Sequence, residues 1–302
     1  MQPLRLSYSS MEKIKLAYFG SPDFAAYFLE KLLTDTTIDQ LIEMSLIVTQ
    51  KDKLVGRKQI LTPTPVKQVA LKHGLEILEI ESHLGREKIS QTDLCLVYAY
   101  GDLIPGDLLD LPKYGFWNIH PSLLPKYRGP MPIASPLIKG DKTTGLTIIK
   151  MDEEIDHGPI IAQESLTIEK KDKRPDLEKK LTDLGFEMFK KIIKNSLSSL
   201  NSLNTKIQND KEATYTKKLS KQDGFIEISK LKEQISNNSE ELFNLFRGLY
   251  KWPGIWTTLP NSKRLKITDI DFVENKIIIR KVQLESKNEV GFEMFNKAYN
   301  IF

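Results

Sequence analysis

The spacing of apolar positions predicts an α/β domain over the first two thirds of the chain. Residues 14–19 form a short apolar run that ends at Gly20, and apolar residues then recur with helical spacing up to Leu33. A strand, a glycine turn and a helix in this order are typical of the start of a doubly wound α/β domain. Residues 46–49 and 93–100 are predicted as further strands, and the second is an unbroken apolar run that suits a central parallel strand.

The same pattern predicts a hairpin, a long helix and a linker further along. Residues 145–150 and 160–168 alternate enough to form two strands that flank a loop. Residues 175–197 place their apolar side chains on one face of a helix that would close the domain. The polar, serine-rich stretch at residues 196–204 has the character of a linker.

The last third of the chain has the pattern of a small β domain. Short apolar runs separated by turn signals predict a barrel or sandwich rather than a parallel sheet. A helix is predicted around residues 240–249, and strands at residues 252–258, 263–268, 276–280 and 290–295. We therefore expect a catalytic domain over residues 11–200, a linker over residues 201–212 and a second domain over residues 213–302.

Composition bounds the class of protein. A chain of 302 residues with 40% hydrophobic and 28% charged residues is typical of a globular protein of one large or two smaller domains. No apolar run approaches the ~20 residues that span a bilayer. The first ten residues lack the apolar core of a signal peptide, and Met11 is an alternative start. The single cysteine, Cys95, lies in an apolar run and is interpreted as a core residue of a reducing compartment, so we expect a cytoplasmic protein.

Charge is distributed unevenly. The net charge is +4, and residues 1–210 hold 28 basic against 28 acidic side chains, whereas residues 211–302 hold 16 against 12. The excess of positive charge in the last third favours a polyanionic partner, although it carries no information about fold.

Candidate chemistry concentrates in residues 116–129. Asn118 and His120 are two positions apart, so on a strand their side chains emerge on the same face. Pro121 and Pro125 then take the chain into a stiffened loop, and polar groups at a strand end are where an open α/β sheet builds its site. The structural alternative is that the two side chains merely satisfy nearby backbone groups.

An acidic loop residue completes the set. Asp156 is followed two positions later by Gly158, and a glycine lets backbone approach a ligand closely. An amide to hold an oxyanion, an imidazole to move a proton and a carboxylate to orient and charge that imidazole would together support acyl-type transfer.

These residues resemble the signature of the formyltransferases that use 10-formyltetrahydrofolate. The resemblance is carried by Asn118-Ile-His120, Ser122-Leu123-Leu124-Pro125, Arg128-Gly129, Gly145 and Asp156-x-Gly158. It implies that Asn118, His120 and Asp156 are catalytic, that the donor is 10-formyltetrahydrofolate, and that a Rossmann-like domain carries the site. It also implies a pterin pocket bordered by Ser122, Leu123, Leu124, Pro125, Tyr98 and Tyr100, although as bare residues the two tyrosines are better explained as core aromatics.

The sequence departs from the pattern of that family at three places. Pro130-Met131 stands where small residues are usual, Glu153-Glu154-Ile155 lacks the usual glycine, and His157 replaces a commoner threonine. The catalytic trio is intact, and the departures concern the shape of the pocket.

The chain as a whole is most similar to the methionyl-tRNA formyltransferase family. The loop at residues 50–65 carries Lys53, Arg57 and Lys58 and ends in the Pro-x-Pro-Val-Lys sequence of that family, in which it engages the acceptor end of tRNA. Residues 213–215, 252–254 and 263–266 resemble the family's OB-like C-terminal barrel, which helps to hold tRNA. The resemblance implies tRNA contacts for Lys53, Arg57, Lys58, Lys217, Lys218, Lys263 and Arg264. The plain alternative is a solvated loop and a solubilised β surface.

The resemblance therefore predicts transfer of a formyl group from 10-formyltetrahydrofolate to the α-amine of methionyl-initiator tRNA in translation initiation, by a cytoplasmic monomer. The four histidines and Cys95 lack ligand-like spacing, so no metal is expected, and the first turn lacks the dinucleotide-binding glycine spacing. Alternatives are a formyltransferase acting on a sugar-nucleotide amine, a 10-formyltetrahydrofolate hydrolase or dehydrogenase module, and a non-enzymatic RNA-binding module.

Overall fold

The structure, a computed structural model, describes residues 12–56, 58–78, 83–196, 200, 202–237 and 239–302. The chain divides into two compact units, each assembled from separate stretches of sequence. The first unit comprises the chain up to Arg128 together with Gly145–Ser165 and Lys179–Thr214, and the second comprises Gly129–Thr144, Leu166–Glu178 and Tyr215–Phe302. Met11 and Arg57 lie outside the described residues, as do parts of the predicted linker, whose limits stay a prediction.

A seven-stranded sheet forms the core of the first unit and confirms the predicted α/β class. The strand order is β5-β2-β1-β6-β7-β8-β9, with β1, β2, β6 and β7 mutually parallel and β8 antiparallel to β7. The strands are β1 (Ile14–Gly20), β2 (Ile42–Val48), β5 (Ile77–Leu78), β6 (Leu94–Tyr98), β7 (Phe116–His120), β8 (Thr143–Lys150) and β9 (Ile160–Thr167). The helices that follow or connect them are α1 (Asp23–Thr34), α2 (Thr36–Leu41), α3 (Pro65–Lys72), α4 (His83–Ser90) and α6 (Arg174–Ser196).

Both faces of this sheet are buried, which explains the unbroken apolar run of β6. Tyr98 contacts Phe28 of α1 at a ring-centroid distance of 5.4 Å, and Trp117 of β7 contacts Phe189 of α6 at 6.5 Å. Alternate residues point to the opposite face, where Cys95, Val97 and Phe116 belong to a separate buried cluster. Because side chains alternate along β7, Asn118 and His120 share the face of Phe116.

Cys95 is a core residue, as its apolar neighbourhood predicted. Its side chain is fully buried, its Sγ lies 3.5 Å from the Thr92 hydroxyl, and burial raises the pKa of the thiol to about 12. A thiol in this state holds almost no thiolate at neutral pH, so Cys95 cannot serve as the nucleophile of a transfer reaction.

The second unit is built on a four-stranded antiparallel sheet, consistent with the predicted small β domain. Its order is β10-β11-β12-β13, with β10 (Ile255–Thr258), β11 (Arg264–Val273), β12 (Lys276–Leu284) and β13 (Glu289–Gly291). The apolar faces of α7 (Ile228–Asn237), α8 (Ser239–Leu249) and α9 (Phe292–Tyr299) contribute Leu231, Phe246 and Phe295 to one core with these strands. A further short helix, α5 (Ala134–Lys139), packs closely on α8 at Gly248, where an added Cβ would meet Ile138 at 2.4 Å.

Several elements differ from the predicted ones, and helices α2, α4 and α5 had no counterpart in the prediction. The strand expected at residues 290–295 ends at Gly291, where α9 begins, because Phe292, Phe295 and Tyr299 recur with helical rather than alternating spacing. Helix α7 was not predicted at all. The aperiodic loop at residues 50–65 contains a hairpin of two three-residue strands, β3 (Lys53–Val55) and β4 (Ile60–Thr62), which are too short to show alternation.

Within the described ranges, none of the helices combines the length and the apolar character that crossing a membrane requires.

Candidate active site

Two side chains of one strand approach a carboxylate oxygen that lies far along the chain from them. The Nδ2 of Asn118 donates to Oδ1 of Asp156 at 3.0 Å, and Nδ1 of His120 lies 3.4 Å from the same oxygen. The His120 side chain is 4% exposed and that of Asp156 is 12% exposed. The structure therefore brings together the amide, imidazole and carboxylate that the sequence singled out, in surroundings where hydrogen bonds are stronger than in water.

The ring of His120 is held from both sides. Its Nε2 lies 3.0 Å from the carbonyl oxygen of Tyr127, and its Nδ1 faces Asp156. A carbonyl and a carboxylate are both acceptors, so a ring that carries a proton on each nitrogen satisfies both neighbours. This environment suits a group that donates from Nδ1 and passes a proton to or from the carboxylate.

Asp156 lies in the loop between β8 and β9 and has a left-handed backbone, with φ of 52°. Such a φ costs free energy in any residue but glycine and persists only when the surroundings stabilise it. Two residues later, Gly158 packs so tightly that a Cβ would lie 1.8 Å from the backbone oxygen of Lys150. The loop is therefore defined by backbone contacts that a larger side chain would destroy.

His157 anchors the same loop from outside. Its Nδ1 lies 2.7 Å from Oδ2 of Asp152, and its Nε2 lies 3.5 Å from Oδ2 of Asp210. The hydrogen bond with Asp152 raises the pKa of His157 above its ordinary value. A histidine is thus compatible with this position, although threonine is commoner in the family that the sequence resembles.

A network around the buried Arg128 supports the loop, and the sequence indicated only part of it. Arg128 is 1% exposed, and its guanidinium donates to Oε1 of Gln208 and, at 2.7 Å, to Oδ1 of Asp210. The hydrogen bond from Arg128 lowers the pKa of Asp210. Gln208 in turn donates to the carbonyl oxygens of Asp156 and Gly158 at 2.9 and 2.8 Å. Arg128 belongs to the sequence motif that carries the family resemblance, and Gln208 lies in a polar stretch predicted as linker.

The turn after β7 is fixed by hydrogen bonds from the β8–β9 hairpin. The Thr147 hydroxyl donates to the carbonyl of Ser122 at 2.6 Å and accepts from the backbone N–H of Leu124 at 3.1 Å. The Gln163 amide donates to the carbonyl of Leu124 at 2.9 Å. Gly145 is needed here as well, because a Cβ would meet the side chain of Leu123 at 2.5 Å. The predicted folate residues Ser122, Leu123, Leu124 and Pro125 thus form a rigid turn next to His120.

The two tyrosines predicted to line the pterin pocket are core residues. The hydroxyl of Tyr98 lies 2.9 Å from that of Thr182, and Tyr100 is 5% exposed with its ring against Phe19. A role of these rings in binding folate stays a prediction.

The predicted tRNA residues fall in both units. Lys53 lies on β3 and Lys58 in the turn of the β3–β4 hairpin, both exposed, whereas Arg57 lies outside the described residues. Leu54, Val55, Ile60 and Leu61 add an exposed apolar surface to this hairpin. In the second unit Lys217, Lys218 and Lys263 are exposed and Arg264 is half-buried.

In the part of the chain that the structure describes, no group of three or more histidine, cysteine, aspartate or glutamate side chains could hold a metal ion.

Comparison with known proteins shows the family of the chain. A family model described as formyl transferase matches residues 13–193. The methionyl-tRNA formyltransferase of Caldicellulosiruptor saccharolyticus is 38% identical over 265 residues, which cover 86% of this chain and 80% of the relative. That of Staphylococcus aureus is 37% identical over 271 residues, covering 87% and 81%.

The chain belongs to the methionyl-tRNA formyltransferase family. It is therefore an enzyme that transfers a formyl group, and the resemblance read from the sequence is confirmed. All three proposed catalytic positions lie within the segment that the formyl transferase model matches.

Solved structures share the fold of this chain. A 4-N formyltransferase from Francisella tularensis superposes with a TM-score of 0.65 at 21% identity, covering 85% of this chain and 97% of that one. An N-formyltransferase from Helicobacter canadensis, solved with folinic acid and dTDP-3-aminofucose, superposes with a TM-score of 0.60 at 19% identity, covering 88% and 95%. At these identities the likeness shows a shared fold.

The tight packing at Gly158 leads to a prediction. Gly158→Ala places a methyl group against the backbone of Lys150 and is expected to lower the free energy of unfolding by ~1–3 kcal/mol. Thermal or urea unfolding measures the loss. The matched control is Gly291→Ala, since an added Cβ there has nothing within 4 Å and the φ is −61°. Equal stability of Gly158→Ala and the wild type would show that the loop is not packed as described.

Proposed function

We propose that the enzyme transfers the formyl group of 10-formyltetrahydrofolate to the α-amine of methionine esterified to initiator tRNA. The observation that carries the proposal is the convergence of Asn118, His120 and Asp156 on one point in a chain that belongs to this family.

The geometry suits a direct transfer through a tetrahedral intermediate. The neutral α-amine attacks the formyl carbon, a C–N bond forms, and the carbonyl oxygen becomes an oxyanion. Asn118 Nδ2 and His120 Nδ1 then donate to that oxyanion, and Asp156 receives the proton that the amine loses, directly or through water. The bond between the carbon and N10 of the folate breaks, and the proton held by Asp156 passes to N10, directly or through water, as tetrahydrofolate leaves.

No covalent intermediate on the enzyme is needed. A neutral amine is already a good nucleophile, and burial raises the pKa of the Cys95 thiol to about 12, so the chain's one thiol is inert. The protein therefore contributes position and electrostatic stabilisation rather than a reactive group of its own.

The turn from Ser122 to Pro125 is the proposed folate contact. It directly follows His120, and Thr147 and Gln163 hold it rigid, so a pterin bound against it would find the same backbone surface at each turnover. A folate compound accompanies the H. canadensis relative, which supports a folate donor for this chain.

The β3–β4 hairpin and the lysines of the second unit are the proposed tRNA contacts. Lysines attract the phosphate backbone, and exposed apolar side chains can pack against the bases or sugars at an open end of a helix. The hairpin carries both kinds of side chain, with Leu54 60% and Leu61 62% exposed.

A sugar-nucleotide amine is the alternative acceptor. The H. canadensis neighbour was solved with such a molecule, but it is 19% identical, whereas the methionyl-tRNA formyltransferases are 37–38% identical over most of the chain. The difference in similarity favours the tRNA acceptor.

A formyl-transfer assay with alternative acceptors tests the function. With 10-formyltetrahydrofolate as donor, we expect turnover with methionyl-initiator tRNA and a kcat/KM at least about a hundredfold lower with free methionine or an aminodeoxysugar nucleotide, because those lack the contacts of the tRNA. Faster transfer to the sugar nucleotide would identify the other acceptor.

The catalytic roles are tested by removing each donor. Asn118→Ala or His120→Ala is expected to lower kcat about 10²–10³-fold, the usual effect of losing one oxyanion donor, with little change in the KM of either substrate. Steady-state kinetics, with each substrate varied in turn, measures kcat and the two KM values separately. Asn204→Ala, at an exposed asparagine of the predicted linker, is the control and should retain wild-type kcat.

Removing the positive charges of the β3–β4 hairpin tests its proposed role in binding tRNA. The double variant Lys53→Ala/Lys58→Ala is expected to raise the KM for tRNA about tenfold and to leave the KM for folate unchanged, because the two lysines are proposed to contact phosphates of the tRNA and not the folate. The matched control is Lys191→Ala/Lys194→Ala on the exposed face of α6. A tRNA KM that changes equally in both double variants would assign the effect to net charge rather than to the hairpin.

A further inference from the structure

Gln208 is a buried polar residue in an otherwise exposed stretch of chain. Residues 204–207 and 209–212 are all exposed, whereas Gln208 is 7% exposed. A buried amide is costly unless its donors and acceptor are satisfied, so its partners define why it is buried.

The amide of Gln208 joins the buried arginine to the catalytic loop. Its Oε1 accepts from Nε and Nη2 of Arg128 at 3.2 and 2.9 Å, and its Nε2 donates to the carbonyl oxygens of Asp156 and Gly158. Every hydrogen-bonding group of the side chain is used, and the reverse orientation would set the NH₂ against a guanidinium. The orientation of this amide is therefore unambiguous.

The contact with Asp156 bears on the position of the catalytic carboxylate. Asp156 has a left-handed backbone, and the orientation of its peptide group decides where its side chain leaves the loop. Gln208 fixes the carbonyl of that peptide and the carbonyl two residues later. Loss of these two hydrogen bonds would let the loop relax and move Oδ1 away from Asn118 and His120.

Thr214, six residues after Gln208, supports the part of the site that contains His120. Thr214 accepts from the backbone N–H of Tyr127 through its hydroxyl at 2.8 Å and from that of Arg128 through its carbonyl at 2.8 Å. Its own N–H donates to the carbonyl of Pro125 at 3.2 Å. Tyr127 is the residue whose carbonyl faces His120. Residues 208–214, which we name the strap, thus contact the supports of both the carboxylate and the imidazole.

We propose that the strap positions the catalytic pair, with Gln208 acting on Asp156 and Thr214 acting on His120 through Tyr127. Neither residue touches a reacting atom in this assignment, so both are positioning residues. The inference rests on the proposed function, because it assigns the strap a part in the formyl-transfer step.

Two variants of Gln208 test the proposal. Gln208→Ala removes all the contacts of the amide, and Gln208→Glu keeps the volume and the pairing with Arg128 but at neutral pH has no donor for the two carbonyls. We expect both to lower kcat about 10–100-fold, the usual cost of removing a group that orients a catalytic residue, while the KM for tRNA and for folate stays within about twofold. Gln222→Ala, at an exposed glutamine of the second unit, is the matched control and should behave as wild type.

A double-mutant cycle separates positioning from a general structural effect. If Gln208 acts through Asp156, then Gln208→Ala should change the single-turnover rate of an Asp156→Ala enzyme by less than about twofold. In the same way, Thr214→Val is expected to leave the single-turnover rate of a His120→Ala enzyme unchanged within about twofold. The proposal would be overturned if Gln208→Ala lowered the rate of the Asp156→Ala enzyme by the same factor as it lowers the rate of the wild type. A wild-type kcat for Gln208→Glu would also overturn it.

Different results would refute the proposed formyl-transfer function and the proposed role of the strap. A wild-type enzyme that fails to formylate methionyl-initiator tRNA would refute the function itself. Normal wild-type formylation together with a normal kcat of Gln208→Glu would refute the strap proposal alone. The melting temperature of each variant is measured alongside, and Gln208→Glu is the informative variant where Gln208→Ala does not fold.

Discussion

The site depends on one acceptor oxygen, Oδ1 of Asp156, that Asn118 and His120 approach together. The two donors share one face of one strand, so their separation is fixed by the strand period and cannot drift. The carboxylate has no such constraint, because it lies on a loop. Shielding from water strengthens the interaction of the three groups but also penalises any misplacement of the charge. The rest of the first unit is best understood as a means of keeping this one carboxylate in place.

The strand pairing makes that task difficult. Strand β8 is antiparallel to β7, with Lys150 opposite Trp117, so β8 ends beside the beginning of β7. The loop that follows must fold back over the sheet face for Asp156 to reach Asn118 and His120. This return explains a left-handed backbone at Asp156 and a glycine at 158 with no room for a Cβ. It also explains why the loop is tied from several directions.

The predictable part of this architecture is the part that local periodicity encodes. Asn118 and His120 could be placed on one face because alternation holds for any strand, and the α/β class followed from apolar runs alternating with helical patterns. The contact of Asp156 with them depends on how β8 pairs with β7, which no local pattern contains, and it came from the resemblance. Gln208 was missed because a polar residue in a polar stretch predicts solvent exposure. The β3–β4 hairpin was missed because three-residue strands show no period.

The choice of glutamine at 208 follows from what faces it. The guanidinium of Arg128 presents donors on one side, and the carbonyls of Asp156 and Gly158 present acceptors on the other. A carboxylate would satisfy the arginine and repel both carbonyls, and a lysine would do the reverse. Only a side-chain amide long enough to span the gap meets both, and the buried arginine in turn needs that amide, because a guanidinium that is 1% exposed cannot be left short of acceptors. Stability of the buried arginine and placement of the proposed catalytic carboxylate are therefore one constraint, carried by a residue to which we assign no contact with the substrate.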